Sequence, residues 1–83
     1  MVKTIVKIDG MMCSMCESHI NETIRKAVPD AKKVQSSHKN GESSFLTEYI
    51  PDEGTLKNAI EATGYHFLSL HTEPYVKKGF FGF

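Results

Sequence analysis

The chain has 83 residues, 40% of them hydrophobic and 24% charged, a composition that excludes a disordered segment and suits one compact domain. Ten basic and ten acidic side chains give a formal net charge of zero, so no global field draws the chain to nucleic acid or to an anionic membrane. The opening MVKTIVKIDG lacks the apolar run of a secretory leader, and nothing approaches the roughly 20 apolar residues of a membrane span, so a cytoplasmic location is expected.

Residues 2 to 8 (VKTIVKI) alternate. Val2, Thr4, Val6 and Ile8 share one face and Lys3 and Lys7 the other, which predicts a half-buried strand that Asp9-Gly10 ends. Ser14 and Glu17 match the S-x-x-E capping box and place a helix N-cap at Ser14. Cys16, Ile20, Ile24 and Ala27 then recur at helical spacing, and Pro29-Asp30 closes the helix near Val28. Two extended segments, 31–38 and 42–49, flank Lys39-Asn40-Gly41, and Asn-Gly in that setting predicts a hairpin. Both segments are unusually rich in serine, which weakens the specification of their register. After a turn at 51–54, Leu56, Ala59, Ile60 and Thr63 form a second helical stripe with Gly64 as its stop, and residues 66–71 (HFLSLH) have strand character.

The order β-α-β-β-α-β is the split βαβ, or ferredoxin-like, arrangement. It predicts an α+β fold over residues 1–71, with a four-stranded antiparallel sheet and two helices on one face. Residues 72–83 (TEPYVKKGFFGF) fall outside it. That aromatic tail is expected to be a flexible terminus, a flap over the sheet or a contact for another protein. Leaving Tyr75, Phe80, Phe81 and Phe83 in water is costly, and two lysines attract a membrane only marginally, so packing or a protein contact ranks above a membrane.

Residues 11 to 19 carry the chemistry. Cys13 and Cys16 are the only cysteines, and in a reducing compartment such a pair is more often metal-binding or catalytic than a structural staple. One lies in a loop and one in the first turn of a helix, where unpaired N–H groups and the helix dipole favour thiolate. Two thiolates select soft cations such as Cu(I) and Zn(II) over Mg(II) or Ca(II). Two cysteines cannot complete a four-thiolate zinc shell, whereas Cu(I) accepts two ligands and can admit a third. His19 lies about 60° round the helix from Cys16 and is read first as a surface histidine, with an auxiliary ligand role as the alternative. Met11 is expected to pack beneath the loop, and Met12 and Met15 to be exposed, where their thioethers can shield the site or act as weak donors. His38, His66 and His71 show no spacing toward the cysteines and read as surface or strand-end residues.

Gly10-Met11-Met12-Cys13-Ser14-Met15-Cys16 at a β-α junction, with Ala62-Thr63-Gly64-Tyr65 after the second helix, resembles the heavy-metal-associated domain family over about residues 2–71. That family includes Atx-type and bacterial copper chaperones and the metal-binding domains of copper-transporting P-type ATPases. The resemblance implies that Cys13 and Cys16 are the metal ligands, that Met11 is the buried methionine of the G-M-x-C-x-x-C motif, and that Tyr65 shields the metal. Met12 departs from the family's usual threonine or serine, and the serine-rich hairpin departs from its usual valine-rich one.

The expected function is a non-enzymatic Cu(I) metallochaperone that delivers its ion by thiolate exchange. The implied partner is a copper-transporting P-type ATPase or another thiolate-bearing acceptor, and a metal-bridged homodimer is compatible with an exposed site. Two alternatives stand beside it. One is a thiol-disulfide redox protein using the same C-x-x-C, although the element order is not thioredoxin-like. The other is the same fold serving zinc, cadmium or mercury.

Overall fold

The computed structural model describes residues 1–12 and 14–75, and within them the elements are β1 (Val2–Asp9), α1 (Ser14–Ala27), β2 (Lys32–Ser37), β3 (Glu42–Thr47), α2 (Glu53–Ala62) and β4 (His66–Pro74). The strands form one sheet in the order β2-β3-β1-β4, and every neighbouring pair is antiparallel. This is the expected ferredoxin-like βαββαβ fold.

The alternation in β1 sets the core. Thr4, Val6 and Ile8 are buried while Lys7 is exposed, so one face of the central strand points inward. Phe45, opposite Thr4 on β3, joins that face. Ile20 and Ile24 from α1 and Leu56 and Ile60 from α2 close over it, all four fully buried in one cluster with Val6, Ile8 and Phe45. The helical stripes point inward as their spacing predicts, with Cys16 and Ala27 packed at the edge of that cluster, except that Thr63 is exposed and caps the C-terminus of α2.

Helix ends follow local chemistry. Asp52 caps α2, its Oδ2 accepting from the Thr55 N–H (3.0 Å) and the Thr55 hydroxyl (2.6 Å). Gly64 ends that helix with φ of +99°, a left-handed conformation that costs glycine little. At α1 the expectation is corrected. Ser14 is already helical rather than the N-cap, and Glu17 turns away to the hairpin, where its Oε2 accepts from the His38 N–H at 2.8 Å.

The β2–β3 connection is a four-residue turn over 38–41, closed by the Gly41 N–H donating to the Ser37 carbonyl (2.9 Å). In β2, Lys33 adopts a φ of +52° where the register with β3 shifts, a bulge that brings Val34 against the core. β4 runs three residues past His71, pairing Thr72, Glu73 and Pro74 with Thr4, Lys3 and Val2. The Tyr75 N–H then donates to the Met1 carbonyl at 3.0 Å. The rest of the aromatic tail, 76–83, lies outside the described residues. No helix among the described residues is long and apolar enough to cross a membrane.

Candidate metal centre

The loop that leads from β1 into α1 is shaped by two residues. Gly10 has φ of +100°, and a Cβ placed there would lie 3.4 Å from the Tyr65 ring, so glycine both permits the turn and lets the aromatic approach the backbone. Met11, next in the chain, is 5% exposed and belongs to the core cluster. The loop is thus anchored on one side by a buried thioether and covered on the other by Tyr65.

Cys16 sits in the first turn of α1, half-buried against the same cluster that holds Met11 and borders Tyr65. Met11 belongs to that cluster, and Cys16 and Tyr65 both pack against it. A thiol at this position feels the positive end of the helix dipole, which favours its ionised, metal-binding form. Cys13, the other predicted ligand, lies outside the described residues. Met12 and Met15 are 82% and 71% exposed, so their thioethers face solvent beside the loop.

The histidines divide. His19 is exposed and lines a shallow groove with Glu22, Lys26 and Thr63 between the two helices. Among the described residues, no three His, Cys, Asp or Glu side chains converge as a metal cluster. His66 and His71 are exposed on β4. His38 follows the last residue of β2, the strand-end place read for it, but it is not a simple surface residue. It is half-buried, and its Nδ1 lies 2.7 Å from Glu17 Oε2, beside Cys16 in the chain. An ionised carboxylate only accepts, so Nδ1 carries the proton. The His38 N–H, the ring contact and the charges of His38 and Lys39 hold the Glu17 carboxyl below its ordinary pKa. Sequence reasoning missed this pair because its partners are 21 residues apart and only the hairpin's placement brings them together.

No family model matches the chain. Among curated proteins it is similar to the mercuric reductase of Lysinibacillus sphaericus, 37% identical over 62 residues that make up 75% of this chain and 10% of that protein. A second mercuric reductase, from Shewanella putrefaciens, is 33% identical over 61 residues. The chain spans about a tenth of the length of these relatives. Among solved structures, the yeast copper transporter domain CCC2A superposes with a TM-score of 0.69 at 25% identity, covering 83% of this chain and 97% of that one. The CopZ metallochaperone superposes with a TM-score of 0.68 at 22% identity, covering 80% and 98%. The chain belongs to the heavy-metal-associated domain family.

In this heavy-metal-associated domain the serine-rich hairpin has a physical account. Ser36 donates to Asn21 Oδ1 on α1 (2.6 Å) and also lies 2.6 Å from Ser43 Oγ. Ser36 has one hydroxyl proton, already committed to Asn21, so Ser43 must be the donor in the second contact. Ser43 is 1% exposed, and this chain of hydroxyls gives it a partner inside the core. Hydroxyls replace the apolar packing of a valine-rich hairpin with directional bonds to the helix that carries Cys16.

Proposed function

We propose that this chain is a soft-metal carrier that holds Cu(I) between the thiolates of Cys13 and Cys16 and passes it to an acceptor by ligand exchange. The observation that carries the reading is the setting of Cys16. It lies in the first turn of α1, half-buried against the cluster that contains Met11 and against which Tyr65 also packs. The helix N-terminus offsets the negative charge that two thiolates and one monovalent cation leave. Met11 fixes the loop from below, and Tyr65 limits access of water and oxidant from the side.

In transfer, a thiolate of the acceptor attacks the bound cation, a three-coordinate intermediate forms, and one of the chain's own thiolates leaves. Each metal–sulfur bond broken is matched by one formed, so the exchange needs no oxidant or reductant. The acceptor in this reading is a thiolate-bearing domain of a copper-transporting P-type ATPase. The surroundings in which this happens are cytoplasmic, where the cysteines stay reduced.

The similarity to mercuric reductases favours a second reading, in which the same two thiolates hold Hg(II) for delivery to a further part of a longer protein. Hg(II), like Cu(I), is soft and accepts two thiolates. Competition of Cu(I), Hg(II) and Zn(II) for the purified chain at buffered free concentrations separates these. Cu(I) displacing the others, with one ion per chain, is the expected result. Retention of Hg(II) against Cu(I) selects the second reading, and Zn(II) prevailing with a dependence on His19 contradicts both.

A further inference from the structure

Two polar contacts join α1 to the β2–β3 hairpin, and they lie one helical turn apart. Glu17 Oε2 accepts from the His38 N–H at 2.8 Å and lies 2.7 Å from its ring nitrogen. Asn21 Oδ1 accepts from Ser36, which in turn accepts from Ser43. Residues i and i+4 share a face of a helix, so the two contacts form a seam parallel to its axis. Apolar packing is nearly indifferent to small slides and rotations of a helix. Hydrogen bonds in a half-buried setting are directional and costly to leave unmade, and two of them along one face fix both axial position and rotation. Cys16 immediately precedes Glu17, so whatever fixes the rotation and axial position of this turn fixes how the Cys16 side chain meets the core cluster.

The diversion of Glu17 has a second consequence. A capping-box carboxylate would have occupied the helix N-terminus, the place where a thiolate or its cation complex gains most from unpaired N–H groups. Drawn toward His38, the carboxylate leaves that end of the helix to the Cys16 thiol in its first turn.

We infer that Glu17 and Asn21, through His38 and the Ser36–Ser43 pair, are positioning residues that hold Cys16 in its ligating geometry and thereby slow the release of bound metal. This rests on the soft-metal reading above for its consequence, but the positioning itself can be read without metal.

The test compares Glu17→Ala, Glu17→Gln and Ser36→Ala with Asp52→Ala, which weakens the remote cap of α2 and serves as the stability control. In a Cys13→Ser background without metal, the rate of Cys16 alkylation by iodoacetamide is measured. In the full chain loaded with Cu(I), the rate of Cu(I) withdrawal by a chelator is followed. Glu17→Ala and Ser36→Ala are expected to speed both, the withdrawal by about ten-fold, the lower end of what loss of an outer partner of a metal ligand costs. Glu17→Gln, which keeps an acceptor for the His38 N–H, should recover part of the effect, and Asp52→Ala should change neither rate. Unchanged alkylation in Glu17→Ala and Ser36→Ala overturns the positioning role, as does an equal change in Asp52→Ala. Altered alkylation in a chain whose cysteines take up no Cu(I) upholds the positioning role and rejects the metal reading instead.

Discussion

Gly10 shows how one residue can serve backbone and site together. Its φ of +100° lies where side chains with a Cβ are strained, and the space a Cβ would need is bounded by the Tyr65 ring at 3.4 Å. Gly10→Ala should therefore lower stability by about 1–2 kcal/mol from backbone strain, with a further shift of Tyr65 away from the loop. Chemical denaturation together with Tyr65 fluorescence or ring NMR shifts checks both. Cys16, Met11 and Gly10 were legible as a motif because their spacing is local. The partner of Glu17 was not. The S-x-x-E pattern pointed to a cap, and only the turn at 38–41, placed by strand pairing, supplies a stronger competing donor for that carboxylate.

Among the elements, the helical stripes behaved as short-range rules, whereas the cap read at Ser14 and Glu17 did not. Ile20 and Ile24, then Leu56 and Ile60, are buried where helical periodicity puts them. The bulge at Lys33 and the extension of β4 to Pro74 were not legible, because each depends on pairing with a strand distant in sequence. Asp52 provides the element-scale prediction. Its two bonds to Thr55 hold its carboxyl below the ordinary 3.8, the hydroxyl contact first and the backbone N–H second. A folded-state pKa below the unfolded one means the stabilisation is fully present above the unfolded value and is lost as pH falls through the folded one. Asp52→Ala should lower the melting midpoint by a few degrees at neutral pH and remove part of the acid-induced loss below about pH 3.8. Asp52→Asn, still a good cap, should keep the neutral midpoint while also flattening the acid limb. Thermal unfolding followed from pH 2 to 7 decides it, and a variant with an unchanged acid limb contradicts it.

For the whole molecule, the sheet and the two helices close over one core that also holds the loop between β1 and α1. Met11 reaches from the β1–α1 loop into the same cluster as Phe45 and Leu56, so the loop's position is tied to the global fold rather than to local contacts alone. Thr4, Ser43 and Thr47 are buried polar residues in that core. Ser43 and Thr47 have partners, Thr47 donating to the Tyr49 carbonyl at 2.6 Å. The hairpin's serines thus supply specificity that a purely apolar face would lack.

In the proposed function, Cys13 and Cys16 together take up a soft cation. Cu(I) titration of the reduced chain against a chromophoric chelator, beside Cys13→Ser and Cys16→Ser, tests it most directly. One tightly held ion per chain is expected, with either substitution abolishing retention while the fold persists by circular dichroism. Normal Cu(I) retention by either variant would contradict it.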